Sequence, residues 1–183
     1  MFTYVLIAIA FIVLWLIFVF NRLVSLRNQA QEALSDIDVQ SKRRYDLIPN
    51  LVETVKGYMT HERNVLENVT KARTSAMQSG GTALDKAQAE NQLSGALKTL
   101  FAVAENYPQL KANENFSKLQ DELTDTEDKL QSARRFYNGT VRDLNIAVER
   151  FPTNLVAGML GFSKMTFFEL STNTEREPVK VSF

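Results

Sequence analysis

FSKLQDELTDTEDKLQSARRFYNGTVRDLNIA (116–147) places apolar or small residues at alternating steps of three and four: Phe116, Leu119, Leu123, Thr126, Leu130, Ala133, Tyr137, Thr140, Leu144 and Ala147. Sustained over about five heptads, that period keeps all ten on one stripe, so it predicts a long helix with a single buried seam of coiled-coil type. Asn113 is placed to cap its start, and Phe151-Pro152 to end it. Gly139 costs the helix about 1 kcal/mol relative to alanine, a loss the flanking seam outweighs.

The same spacing recurs upstream. Leu23, Leu26, Ala30, Ala33 and Ile37 hold it; after a polar patch Leu47, Leu51, Val55 and Tyr58 resume it, and Val65, Leu66, Val69 and Ala72 extend it to about residue 78. One helix over 21–78 is expected, roughly 87 Å long at 1.5 Å per residue. Pro49 falls inside it. Proline removes one backbone hydrogen bond and clashes with the preceding turn, at about 3 kcal/mol. Because Leu47, Leu51 and Val55 keep register across Pro49, a kink is expected; the alternative is two helices meeting at Leu47-Ile48.

Ser79-Gly80-Gly81-Thr82 reads as a loop with Thr82 capping a further helix to about Ala104, with Leu93, Leu97, Leu100, Val103 and Ala104 inward. Tyr107-Pro108 closes it, and 105–113 forms a turn or a bend. No segment alternates with period two before the end, TEREPVKVSF (174–183), where Val179, Val181 and Phe183 have no sheet to join.

The first twenty residues, MFTYVLIAIAFIVLWLIFVF, are different in kind. None of the 21 basic and 21 acidic residues lies in 1–21. The run covers roughly 30 Å as a helix, enough to cross a bilayer's hydrocarbon layer. Phe2, Tyr4, Leu6, Ile9, Phe11, Leu14, Trp15, Phe18 and Phe20 would face lipid, Tyr4 near the edge where interfacial aromatics are favoured. A signal peptide wants a basic start and small residues at its cleavage site; neither is present, so an uncleaved anchor is expected. Arg22 and Arg27, then Lys42, Arg43 and Arg44, follow it. The positive-inside rule therefore puts the N-terminus outside and the body in the cytoplasm.

The expected fold is all-α: an N-terminal transmembrane helix over 1–20, an antiparallel bundle of long helices over 21–170, and a mobile tail over 171–183. FPTNLVAGMLGF (151–162) is too short to span a membrane and should cap the bundle, lie on the membrane surface or meet another subunit.

Composition excludes several chemistries. With no cysteine there is no disulfide, thiolate nucleophile or cysteine zinc site. The zero net charge argues against nucleic acid as a partner, since phosphate neutralisation dominates such binding. His61 is the one histidine, so neither a familiar zinc site nor a Ser-His-Asp triad can form. No phosphate loop, G-x-S-x-G or G-x-G-x-x-G occurs. No catalytic, cofactor or metal residues are expected, and the chain reads as no enzyme.

Two charge clusters remain. Consecutive helix positions step about 100° apart, so Lys42, Arg43 and Arg44 cannot share one narrow face. The acids of LQDELTDTEDKL (119–130) lack the glycine and spacing of an EF-hand. Ion pairs between helices are the simpler reading: the acids of 121–128 with Lys42-Arg43-Arg44, or Arg134-Arg135 with Asp36 and Asp38.

DIDVQSKRRYDLIPNLVETVKGY (36–58), AVAENYPQLKANENF (102–116) and SARRFYNGTVRDLNIAVERFPTNLVAG (132–158) together resemble the LemA family, over nearly the whole chain from the anchor to about residue 170. The resemblance implies a bacterial single-pass inner-membrane protein with a long helical body and no established enzymatic activity. It also points to envelope partners, such as a membrane zinc metalloprotease, because similar proteins keep such genomic company. Asp36, Asp38, Arg43, Arg44, Asp46, Pro49, Asn50, Arg134, Arg135, Asn138, Arg142, Asn145, Pro152 and Asn154 match the family's pattern. The polar ones among them are expected to make interhelix or partner contacts. The leading expectation is a non-enzymatic scaffold that self-associates as a homo-oligomer and organises envelope proteins. The alternatives are an adaptor for a membrane protease or transporter, and a membrane-shaping protein acting through residues 151–168, where Phe162, Phe167 and Phe168 add apolar surface.

Overall fold

The computed structural model describes residues 1–168, so the tail expected over 171–183 lies outside the described residues. Among the described residues every regular element is helical: α1 Phe2–Lys56, α2 Arg63–Gln78, α3 Ala83–Ala104, α4 Pro108–Lys111, α5 Glu114–Glu149 and α6 Asn154–Ala157. The chain forms two compact units. One consists of Met1–Leu47 and Gln120–Phe167, the other of Ile48–Leu119 with the chain from Phe168.

The apolar N-terminal run continues into the body without a break, as the missing stop signal near Phe20 implies. The end of that helix differs from expectation. α1 passes through Pro49 and stops at Lys56, and 63–78 form a separate helix. Pro49 stands on the exposed face, while Ile48 and Leu51 beside it are fully buried. The stop is at Gly57, the residue of lowest helix propensity in the run apart from proline. There the Tyr58 and Met59 N–H groups both donate to Val55 O, at 2.9 and 3.0 Å. Met59 is then buried completely, which holds the turn in place.

In the second unit α2 and α3 pack on each other, α2 through Leu66, Val69 and Ala76, α3 through Ala87, Leu93, Leu97 and Leu100. Thr82 caps α3 as expected. Asp85 N–H donates to Thr82 Oγ1 at 3.3 Å, and Thr82 N–H donates to Asp85 Oδ2 at 3.0 Å, a capping box. These bonds hold the Asp85 carboxyl below its ordinary range. Gly81 enters this turn at φ +133°, where a Cβ would lie 2.9 Å from Asp85 Oδ2. The 105–113 connection contains the short α4. Asn113 caps α5 as expected, its Oδ1 accepting from Asn115 and Phe116 N–H at 2.9 and 3.1 Å. Phe101 meets Phe116 edge to face.

In the first unit Val19 and Leu23 of α1 meet Leu144 of α5. Of the α5 seam, Leu123, Thr126, Leu130, Tyr137, Thr140 and Leu144 in this unit are buried and Ala133 and Ala147 half-buried; Phe116, buried, and Leu119, half-buried, belong to the second unit. Val19 and Leu23 of α1 form one cluster with Leu144, Ala157 and Phe162.

Beyond α5 the chain bends through a cis Phe151-Pro152 bond into a helical elbow. Thr153 begins α6, but its side chain makes no capping bond. Gly161, at φ +77°, ends the elbow, with Phe162 N–H reaching back to Ala157 O at 3.0 Å. This is a Schellman ending, and Phe162 closes it by packing with Ala157. The strap after Gly161 is clamped onto α5. Asn145 Nδ2 donates to Met165 O and its Oδ1 accepts from Met165 N–H, both at 2.9 Å; Tyr137 Oη donates to Thr166 O at 2.9 Å. Phe162 and Phe168 are buried.

Replacing Asn145 by leucine strands the Met165 N–H and C=O and should cost about 2–3 kcal/mol in denaturant unfolding of the full chain in mild detergent. Burial raises the Tyr137 phenol above its ordinary pKa. The folded state therefore prefers the neutral phenol, and that stability is fully present below the unfolded pKa and is lost as pH rises through the folded value. Stability should fall above about pH 10 in the wild type, and this part of the fall should vanish in Tyr137→Phe.

Candidate functional site

Three features can carry function: the exposed N-terminal helix, a polar layer in the helix seam, and the place where the elbow meets α1.

Phe2, Tyr4, Leu6, Ile9, Phe11, Leu14, Phe18 and Phe20 are exposed, while Trp15 is half-buried. The apolar window has mean hydropathy 2.8, and only 6% of it is buried by the protein. It is thus not the core helix of a soluble fold, and a bare surface this size is unstable in water. Its length and composition suit membrane anchoring.

Along α1 the buried stripe runs Ala30, Ala33, Ile37, Ser41, Arg44, Ile48, Leu51 and Val55, again in steps of three and four. The polar patch therefore does not interrupt the stripe; Ser41 and Arg44 occupy it. Ile48 rather than Leu47 carries the register across Pro49, and Met59 is more deeply buried than Tyr58. The basic triplet divides as its spacing requires. Lys42 is exposed and pairs with Asp46 at 2.9 Å, Arg43 is exposed, and Arg44 is 2% exposed. Arg44 Nη2 lies 2.8 Å from Glu127 Oε2, so one member of the triplet meets one member of the acidic run.

The other polar positions separate by environment. Arg134 and Asn145 are buried and Asn138 half-buried, whereas Asp36, Asp38, Asn50, Arg135, Arg142 and Asn154 are exposed. Arg135 donates to Ser132 Oγ at 3.0 Å, and Arg142 Nε lies 3.3 Å from Asp143 Oδ1. Asn145 serves a backbone, not a ligand, and because it grips only main-chain atoms the identity of residue 165 is free. Among the described residues no cluster of three metal-ligating side chains occurs, and His61 is exposed.

Where α1 leaves its apolar run, a cavity of about 150 Å³ opens between it and the end of α5, lined by Trp15, Phe18, Arg22, Ile146, Arg150 and Thr153 among others. Phe162 packs edge-to-face on Phe20, with centroids 5.9 Å apart, and the Arg27 guanidinium lies 5.9 Å from the Phe162 ring. Phe151, Leu155 and Met159 on the elbow are exposed by 74%, 64% and 87%. Spacing alone does not reveal these three, because only the bend after Glu149 decides which side of 151–160 faces the core.

The seam ion pair gives a test of burial against exposure. Glu127→Ala removes the carboxylate paired with buried Arg44 and should cost about 2 kcal/mol, discounted because the Glu127 side chain is one-quarter exposed. Asp125→Ala breaks an exposed pair with Lys129 and should change stability by less than about 0.5 kcal/mol. Arg44→Met with Glu127→Leu should recover most of the loss. Urea unfolding of the four proteins compares them directly.

A sequence model of the LemA family matches residues 33–183. Protein LemA of Metamycoplasma hominis is 26% identical over 162 residues, covering 88% of this chain and 74% of that protein. Magnetosome protein MamQ 2 of Paramagnetospirillum magneticum is 25% identical over 175 residues, and MamQ of Magnetospirillum gryphiswaldense 24% over 174, covering 82% and 81% of this chain. In both magnetosome relatives the matched part is 64% of the relative's own length. With the family pattern matched across the seam, the Asn145 clamp and the elbow, the chain belongs to the LemA family.

Proposed function

We propose that the chain is a non-enzymatic, membrane-anchored helical scaffold that self-associates and organises envelope proteins. The observation that carries this reading is α1: one uninterrupted helix, apolar on all sides over its first twenty residues and buried along a single stripe thereafter. A helix so built fixes a folded body to a bilayer. LemA membership and the magnetosome relatives support a membrane-associated protein. Val19 and Leu23 near the start of α1 sit with Leu144 near the end of α5, while Arg44 sits with Glu127, an order that supports antiparallel packing of these two segments.

Val39 and Phe136 support self-association, being 60% and 59% exposed on α1 and α5, outside the anchor. A second copy would cover such residues. The intact protein in mild detergent should run as a defined oligomer, the 21–183 fragment as a smaller species, and Val39→Asp with Phe136→Asp should shift the intact protein toward monomer. A strictly monomeric intact protein overturns self-association and leaves the adaptor for a membrane protease or transporter as the working reading.

Arg22 and Arg27 follow the anchor, which supports a cytoplasmic body in the bacterial inner membrane. Since the chain has no cysteine, Lys71→Cys supplies a single label site on α2. A membrane-impermeant maleimide should label it only after cells are permeabilised; labelling of intact cells reverses the orientation.

A further inference from the structure

The elbow after α5 is apolar on both faces. From Phe151 to Ser163 there is no charged residue, and Arg150 and Lys164 bracket the segment. Hydrogen bonds from Asn154 N–H to Arg150 O, Ala157 N–H to Thr153 O and Leu160 N–H to Val156 O keep it helical. Its inner face is used up: Ala157 is buried, and Val156 and Leu160 pack on the cluster of Val19, Leu23, Leu144 and Phe162. Phe151, Leu155 and Met159 stand four residues apart, share the other face and are left bare.

Its level along α1 is fixed by contacts within the same unit. Thr153 and Arg150 line the cavity with Trp15, Phe18 and Arg22, and Phe162 touches Phe20. At 1.5 Å per residue, Trp15 to Arg22 spans about 10 Å, the last part of the apolar run and the first charge after it. That is the depth at which amphipathic elements settle between headgroups and acyl chains. The charges around it suit the same boundary. Arg22 and Arg150 are exposed, Arg27 lies by Phe162 and Lys164 pairs with Glu149, while Asp143 is engaged by Arg142.

We propose that residues 151–160 form a second membrane contact, an interfacial wedge in the same leaflet as the end of the anchor. Phe151, Leu155 and Met159 lie among the upper acyl chains, with Arg22 and Arg150 at the lipid phosphates. Lipid is the occupant because the bare face continues the apolar surface of the anchor and basic side chains edge it, the arrangement of an element lying in the interface plane. The body is then held at two points, which fixes its rotation about the anchor as well as its distance from the bilayer. This inference rests on 1–20 being the membrane-spanning segment, and the controls below separate the two.

The test uses the full chain, which offers a cysteine-free background. Leu155→Cys, Met159→Cys, Ile9→Cys and Lys71→Cys each carry a nitroxide, in vesicles of phosphatidylcholine and phosphatidylglycerol. All four positions are exposed, so the labels displace no core side chain. Collisions with oxygen should exceed those with a water-soluble nickel chelate several-fold at 155 and 159, as at 9, with the order reversed at 71. If 155 and 159 behave like 71 while 9 remains in lipid, the wedge is overturned and the anchor stands. Poor collision with both agents at 155 and 159 means protein covers them, which also overturns it. An aqueous Ile9 position removes the anchor itself, and the wedge with it.

Discussion

The contact of α1 with α5, Val19 and Leu23 against Leu144 and Arg44 against Glu127, is the one on which the first unit depends. A helix buries one stripe at most when it has one neighbour, so α1 and α5 must hold their three-and-four spacing over many turns to stay together. Each does, and each spends part of the stripe on polar groups. Arg44 sits where a leucine would pack, and the carboxylate of Glu127 makes that burial tolerable. An ion pair of this kind adds little net stability over an apolar pair of similar volume, but either charge alone is expensive. Its physical consequence is register: sliding α5 by one turn would separate Arg44 from Glu127.

Asn145 solves a different problem. The strap after Gly161 forms no regular ladder, yet its backbone at Met165 packs on a helix. Any buried N–H or C=O there needs a partner. One amide side chain satisfies both main-chain groups, and Tyr137 adds a third bond at Thr166. The polar positions at the end of α5 therefore include at least one whose role is structural. The clamp also holds Phe162 over the end of the anchor, where Phe20 and Arg27 meet it.

Much of the architecture is local and so readable without coordinates. The apolar opening run, the ten-residue seam from Phe116 to Ala147, and the caps at Thr82 and Asn113 each depend on side chains within a few positions of one another. The end of α1 at Lys56 was not anticipated, although Pro49 and Gly57 both weaken a helix. Proline is the stronger signal in isolation, about 3 kcal/mol against about 1. Its exposed placement, with Ile48 and Leu51 packed beside it, reverses that order, and the chain turns at Gly57 instead.

That the protein is helical, that its N-terminal segment suits a bilayer, and where most helices begin can all be read from residue order, because periodicity and capping are properties of neighbouring residues. Which charges are buried, which main-chain groups Asn145 serves, and which face of 151–160 is bare emerge only on folding. Those outcomes depend on contacts between residues twenty to well over a hundred positions apart, such as Asn145 with Met165 and Phe20 with Phe162, and no local pattern encodes the bend that brings them together.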